Sequence, residues 1–271
     1  MAKKRAPSGA AAFDEYYRER FSDRWTALRA ALLEPPRQVA LPEPVTKPYW
    51  LDEASVEAAR ALPPVDDGKV LDLCAAPGGK TLVLASALGS GSTLTANELS
   101  RERRARLLSV LDQHLGEELR ARVRVTGFDA ALWSRHEKGS YDRILLDAPC
   151  SSERHVLSSP QYLDEWTPAR IRNLAHRQWA LLSGAWLVLK SGGFLVYSTC
   201  ALSEEENDGV VAKLAKKYPD VTAVTADLQA QSPASRSLGE RTAYGTHILP
   251  DRSSGAGPIY YALLRKNGPE A

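Results

Sequence analysis

From residue 69 onward, short apolar runs alternate with longer stretches in which apolar residues recur every three or four positions. The runs lie at 70–73, 92–96, 123–126, 143–146 and 193–198, and the helical patterns at 80–88, 100–115, 168–189 and 204–217. Strands interleaved with helices predict a mostly parallel sheet covered on both faces. Two start signals fix helix positions. Thr167 precedes a first-turn Pro168, and Ser203 stands three residues before Glu206, the spacing of a capping box. Two further runs, 246–249 and 259–264, predict a closing antiparallel pair, which makes seven strands. The segment from 229 to 244 reads as a loop.

Ahead of this alternation the texture differs. Residues 1–11 are small and basic and read as a disordered start. Phe13, Tyr17, Phe21, Trp25, Leu28 and Leu32 then recur at helical spacing and predict one amphipathic helix that ends at Pro35-Pro36. Its opposite face carries Arg18, Arg20, Arg24 and Arg29, for which a solvated face is a simpler reading than an RNA-binding one. A proline-rich link with Pro42, Pro44 and Pro48 leads to a short helix at 54–61. The organisation expected is an N-terminal tail and helical extension over 1–64 and an α/β domain over 65–267.

Composition narrows the field without choosing. The net charge of +2 gives no nucleic-acid signature, so any basic face must come from clustering. Arg101, Arg103, Arg104 and Arg106 form the densest cluster and read as the solvated outside of a helix. No apolar stretch is long enough for a signal peptide or a membrane span. Three cysteines do not make a disulfide framework, and a reducing cytoplasm is the compartment expected.

The chemistry concentrates at three places. The first is 70–81, reading VLDLCAAPGGKT, a strand running into a glycine turn and then a helix. A phosphate loop would need glycine where Cys74 stands, and Pro77 removes an N–H that a phosphate cradle would use. The dinucleotide fingerprint fails as well, since only Gly78 and Gly79 are present. A nucleoside with a charged tail, such as S-adenosylmethionine, is the remaining ligand, held by Cys74, Ala75, Ala76, Pro77, Gly78, Gly79 and Lys80. In open α/β sheets ligands sit beyond the carboxyl ends of the strands. Three acids end successive strands there: Glu98 to accept from the ribose hydroxyls, Asp129 to accept from the adenine amino group, and Asp147. No metal is called for.

The second and third places are Asp147-Ala-Pro-Cys150 and Ser198-Thr-Cys200, at the ends of strands predicted to be neighbours. Either cysteine alone reads as an inert buried residue. Together, beside a methyl donor, they suit C5 methylation of a pyrimidine. C5 is too weak a nucleophile until a thiolate adds to C6, which divides one difficult step into easier ones. Such a site needs one nucleophilic cysteine, an acid near N3, for which Asp147 is placed, and a group that assists elimination. The residues alone do not say which cysteine attacks.

Taken together, LDLCAAPGGKT at 71–81, DAPCSS at 147–152 and YSTCALSEEEN at 197–207 resemble the Sun-domain (NSUN) RNA cytosine-5 methyltransferases, over roughly residues 65–265. Ile248-Leu-Pro250 and Gly257-Pro-Ile-Tyr-Tyr261 resemble that family's last motif. The resemblance implies a class I, Rossmann-like methyltransferase fold, S-adenosylmethionine as cofactor, and RNA, most plausibly ribosomal RNA, as substrate, with transfer RNA as the alternative. It also implies that Cys200 attacks C6 and that Cys150 aids product release; DNA cytosine-5 methyltransferases use the Pro-Cys cysteine instead. Ser152-Glu-Arg-His155 departs from the Gly-Thr-Gly of many bacterial members and is similar to the branch with the animal mitochondrial ribosomal-RNA enzyme. A recruiting protein or the ribosomal subunit is an expected further partner. A methyltransferase-like subunit that binds RNA without catalysis is the reading from another class, but such a module needs neither cysteine. The target must be single-stranded or flipped out. Arg154, His155, Tyr162 and Trp166, on the segment leaving the crevice, are candidates for phosphate contact and base stacking.

Overall fold

The computed structural model describes residues 8–41, 45–135, 137–224 and 238–268. Its main sheet is built from β3 (Lys69–Leu73), β4 (Thr93–Asn97), β5 (Val123–Thr126), β6 (Tyr141–Asp147), β7 (Leu189–Thr199), β10 (Thr246–Ile248) and β11 (Ile259–Lys266). These are the seven expected strands. Two short pieces, β8 (Val221–Ala223) and β9 (Glu240–Arg241), extend it. The order is β5-β4-β3-β6-β7-β11-β10-β9, with β8 on β11. The pairs from β5 to β7 are parallel and β11 runs antiparallel to β7. The strand order reverses between β3 and β6, and that switch point opens a crevice at the carboxyl ends.

Successive side chains of a strand point to opposite faces. Leu71, Leu73, Ile144, Leu146, Leu195, Tyr197, Tyr260, Ala262 and Leu264 enter one layer, while Val70, Leu145, Val196 and Leu263 enter the other. Helices α9 (Pro168–Val188) and α10 (Asp208–Lys217) cover the first layer through Leu181, Leu182, Trp186, Val211 and Leu214. Helices α3 (Glu53–Arg60), α4 (Gly79–Ser86) and α5 (Arg101–His114) cover the second through Val56, Leu82, Leu107 and Leu111. Each such leucine contributes about 1.5–3 kcal/mol by leaving water. Burial on both faces is why these strands read as unbroken apolar runs rather than as alternations.

The N-terminal region differs from expectation in two ways. Residues 9–11 belong to α1 (Gly9–Phe21), so the start that reads as disordered is helical from Gly9. The single helix expected over 13–32 is broken, because Ser22 adopts φ +49° and a 3-10 turn at Ser22–Arg24 precedes α2 (Trp25–Leu33). An unbroken helix would set residues 13 and 25 roughly 18 Å apart. The break instead stacks Trp25 on Tyr17, with ring centroids 5.2 Å apart, and brings it to Phe13 at 5.9 Å. Asp14 fastens the fold-back by accepting from Trp25 Nε1 at 3.0 Å and Arg29 Nε at 2.8 Å. This aromatic cluster packs on Val156, Leu157, Trp166, Ile171, Leu202 and Leu249. The extension therefore sits against the chain that follows each of the two C-terminal cysteines.

A ribbon of β1 (Gln38–Ala40) and β2 (Trp50–Asp52) links the extension to α3, which Asp52 caps by accepting from Ala54 N–H. The helical pattern at 204–217 is also split, into a 3-10 turn at Glu204–Glu206 and α10. Of the loop read at 229–244, residues 229–237 lie outside the described residues, and Glu240–Arg241 form β9. Among the described residues, no helix is long and apolar enough to cross a membrane.

Candidate active site

The glycine loop leaves β3 through Cys74, which takes φ +64°, and enters α4 through Gly78 at φ +120°. A Cβ on Gly79 would lie 2.8 Å from Leu51 Cδ1 and 3.1 Å from Tyr49 Cε1. One on Gly78 would lie 3.1 Å from Val110 Cγ1. The protein's own ribbon and α5 thus occupy the room these glycines leave. Burial pushes the Cys74 thiol up to about 12, so it stays protonated. Lys80 reaches across the switch point and donates to Asp147 Oδ2 at 2.9 Å, while Ser198 Oγ donates to Oδ1 at 3.1 Å. Burial opposes the charge on Lys80, but Asp147 and the surrounding acids outweigh it and raise its pKa.

The row of acids is present at the carboxyl ends of β4, β5 and β6, in three different settings. Glu98 is 4% exposed; Oε1 accepts from Ser100 N–H, and Oε2 faces Arg103 Nη1 at 3.3 Å without a hydrogen bond. Asp129 is exposed and accepts from Ala131 N–H. Asp147 alone of the three lines the crevice cavity. Arg103 donates to Ala76 O at 2.7 Å and lines the same cavity, so this member of the arginine cluster reaches the crevice while its side chain stays half-exposed. Ser100, the N-cap of α5, puts position 103 in the first turn beside the loop. Leu99, Phe128 and Leu132 are exposed apolar residues next to Glu98 and Asp129, which the sequence reading did not single out. A nearly buried carboxylate oxygen awaiting a donor, beside apolar walls, fits the ribose and base of a nucleoside.

Because β6 and β7 are parallel neighbours with Asp147 opposite Ser198, the two cysteines that follow them meet. Cys150 Sγ and Cys200 Sγ are 2.9 Å apart, and Cys200 N–H donates to Cys150 Sγ at 3.2 Å. Ser152, held at φ +56°, brings its hydroxyl to 3.4 Å from Cys200 Sγ. The contact with Cys150 and the Ser152 hydroxyl together lower the Cys200 pKa against its burial. The same contact and burial raise that of Cys150. Of the pair, Cys200 is thus the more acidic thiol.

Two cavities meet at this pair. One, of about 460 Å³, is lined by Cys74, Lys80, Arg103, Asp147, Cys150 and Cys200. The other, of about 420 Å³, is lined by Asp52, Arg154, His155, Ser158, Cys200 and Pro258. Ser55, Ser152, Cys200 and Ile259 belong to both walls. Cys200 thus stands between a compartment bounded by the glycine loop and a second, open compartment.

The candidates for RNA contact fare unequally. Trp166 is 1% exposed and lies among Phe13, Tyr16 and Tyr17, so its ring is closed to a base. The Arg154 guanidinium is spent on backbone carbonyls, at Leu32 O (3.0 Å), Glu34 O and Gly257 O (2.7 Å), tying α2 to the final loop. It is not the free phosphate ligand the sequence suggested. His155 is exposed and pairs with the exposed Tyr162, ring centroids 5.1 Å apart, at the mouth of the second cavity. Along the extension, Arg20, Arg24 and Arg29 are paired with Glu205, Asp251 and Asp14, while Arg18 is exposed. Among the described residues no group of acids, cysteines and histidines is arranged to hold a metal.

Residues 59–265 match the family described as 16S rRNA methyltransferase RsmB/F. Among curated proteins, the chain is 32% identical over 228 residues to the 5-cytosine rRNA methyltransferase NSUN4 of Mus musculus. It is 33% identical over 227 residues to the mitochondrial tRNA (cytosine(34)-C(5))-methyltransferase of Danio rerio. Each alignment takes in 80% of this chain, which spans about 60% of the length of these relatives. Among solved structures, that of NSun6 from Pyrococcus horikoshii with SFG superposes at TM-score 0.66 and 29% identity, over 82% of this chain and 53% of that one.

Proposed function

The chain belongs to the 16S rRNA methyltransferase RsmB/F family, and from that premise we propose that it transfers a methyl group from S-adenosylmethionine to C5 of a cytosine in RNA. Ribosomal RNA is the substrate class, supported by the family description and by the rRNA relative. The observation that carries the reading is the contact of Cys150 with Cys200, which stands on the wall between two cavities.

The glycine loop, Glu98, Asp129 and Asp147 hold the cofactor, which when bound supplies an electrophilic methyl group on a sulfonium. The target base enters from the second cavity. Cys200 Sγ adds to C6 of the ring, and the electron pair released moves to C5 and toward N3. Lys80, whose ammonium Asp147 holds in the wall of the first cavity, meets the negative charge that builds toward N3. C5 takes the methyl, its proton leaves, and the S–C6 bond breaks to return the thiolate. Cys150, in contact with Cys200, assists this elimination.

Cys200→Ala is expected to abolish methyl transfer while calorimetry still registers the cofactor. Cys150→Ala is expected to accumulate a protein–RNA band on a denaturing gel. A fully active Cys200→Ala enzyme would overturn the assignment. A transfer-RNA substrate is the second reading, favoured by the name of the Danio rerio relative. Bisulfite sequencing of ribosomal and transfer RNA from cells with and without the gene separates the two. The free thiols suit the reducing cytoplasm, and a recruiting protein or the ribosomal subunit is the further partner we infer.

A further inference from the structure

Behind the two cysteines lies a pair of carboxyl groups that the reaction itself does not use. Glu153, at the start of α7 (Glu153–Leu157), and Glu206 are both 0% exposed. Among the described residues neither is paired with a lysine or arginine. Both reach the hydroxyl of Ser151, the residue after Cys150. Glu206 Oε1 also accepts from Ser151 N–H at 3.0 Å and from Gln178 Nε2 at 2.8 Å; that amide also donates to Pro149 O at 2.9 Å. Glu153 Oε2 accepts at 3.1 Å from Leu202 N–H, two residues after Cys200. Its Oε1 accepts from Tyr17 of α1.

Counting hydrogens favours one protonated carboxyl. The Ser151 hydroxyl has one hydrogen but contacts both carboxyl groups. A proton on one carboxyl gives each of the two contacts its own hydrogen. Two adjacent buried carboxylates without a countercharge would also repel one another at high cost, so one stays neutral. Burial and the neighbouring Glu153 push Glu206 up to about 7, and burial raises Glu153 as well.

We propose that Glu153 and Glu206 are positioning residues for methyl transfer: sharing one proton through Ser151, the pair clamps the segments that carry Cys150 and Cys200 and extends that clamp through Tyr17 to the N-terminal helices. The capping box at Ser203 supports this. Glu206 N–H donates to Ser203 Oγ and Glu206 Oε2 accepts from that hydroxyl at 3.4 Å, but the shorter contacts of the Glu206 carboxyl are to Ser151 and Gln178. A side chain that could have completed a local cap is spent on the neighbouring cysteine's segment. Burying an acid pair where an apolar pair would pack is expensive; the return is a fixed distance between two sulfur atoms.

The proposal rests on Cys200 being the nucleophile, and its test separates the two claims. The alkylation rate of Cys200 by iodoacetamide at neutral pH reports the thiolate without RNA. Calorimetry with S-adenosylhomocysteine reports the cofactor side, and kcat and KM are measured on RNA. Glu206→Ala is expected to slow alkylation and kcat by about tenfold or more, with cofactor affinity and KM held within about twofold. Glu206→Gln, whose amide supplies a hydrogen where the shared proton sits, is expected to restore both to within about threefold. Tyr17→Phe keeps the ring packing and removes one donor, and is expected to slow alkylation by about two- to threefold. A folded Glu206→Ala protein with wild-type alkylation and kcat overturns the proposal. So does a Glu206→Gln protein as impaired as Glu206→Ala. Should Glu206→Ala not fold, an unchanged Tyr17→Phe protein overturns it. A wild-type enzyme that methylates no RNA while the alkylation series behaves as expected places the failure on the reaction, not on the clamp.

Discussion

At the scale of single residues, the reactivity of Cys200 depends on neighbours with short reach. Ser152 is the least obvious of them. A left-handed backbone is uncommon for a serine and is retained where surrounding structure holds it. Here the conformation turns the hydroxyl toward Cys200 Sγ at 3.4 Å. Ser152→Gly removes that donor without opposing the backbone, since glycine adopts positive φ freely. Loss of a donor to the thiolate raises the thiol pKa, so the alkylation profile of Cys200 is expected to move to higher pH. At neutral pH the rate should drop about two- to tenfold and recover as pH rises above the new pKa. A profile superimposable on the wild type would show that Cys150 alone sets the thiolate.

At the scale of elements, the strand–loop–helix unit of β3 and α4 carries a buried acid of its own. Asp72 is 0% exposed and accepts from Thr81 Oγ1 at 2.6 Å, and burial pushes it from its ordinary 3.8 up to about 7. Between these values the unfolded chain has lost a proton that the folded chain keeps. Stability from this group therefore falls as pH rises across that window, and above about 7 the full cost of a buried anion applies. Asp72→Asn cannot titrate and still accepts from Thr81. Its melting temperature relative to wild type is expected to be more favourable at pH 8 than at pH 5, by scanning calorimetry; an equal difference at both would refute the buried anion. The elements themselves were legible in the sequence because the central sheet strands are buried on both faces and the helices that cover them on one. What was not legible depends on long-range packing. Nothing in the spacing of Phe13 to Leu32 announces the turn at Ser22, which exists because Trp25 gains more by folding onto Tyr17 and Phe13 than a straight helix could offer. Trp166 reads from sequence as an aromatic near the crevice; only that fold-back reveals that it is already covered. The glycine loop, the strand-end acids and the two cysteines were legible because strand ends converge in any sheet of this order. Glu153 and Arg103 were not, because their roles depend on what α1 and the loop bring against them.

At the scale of the whole molecule, the second cavity opens to solvent where charge is scarce. The net charge is +2, and most arginines of the extension's polar face are already engaged, Arg20 with Glu205, Arg24 with Asp251 and Arg29 with Asp14, while Arg154 is held by backbone carbonyls and Arg18 is exposed. An arginine held by an acid or a carbonyl releases few counterions when a phosphate arrives, so RNA binding by this chain should depend only weakly on salt. For single strands the slope of log K against log salt is about −0.7 per phosphate neutralised, and a slope of about −2 to −3 is expected, measured by fluorescence anisotropy with a short oligoribonucleotide. The attraction must then come largely from stacking, and the exposed His155–Tyr162 pair at the cavity mouth is the surface that offers it. Tyr162→Ala should weaken binding by about 1–3 kcal/mol and leave the salt slope unchanged, because a phenol ring carries no counterion. A slope steeper than about −5 would mean that the paired arginines exchange their acids for phosphates on binding. In that event the extension, now packed behind the cysteines, would be the RNA-binding face after all.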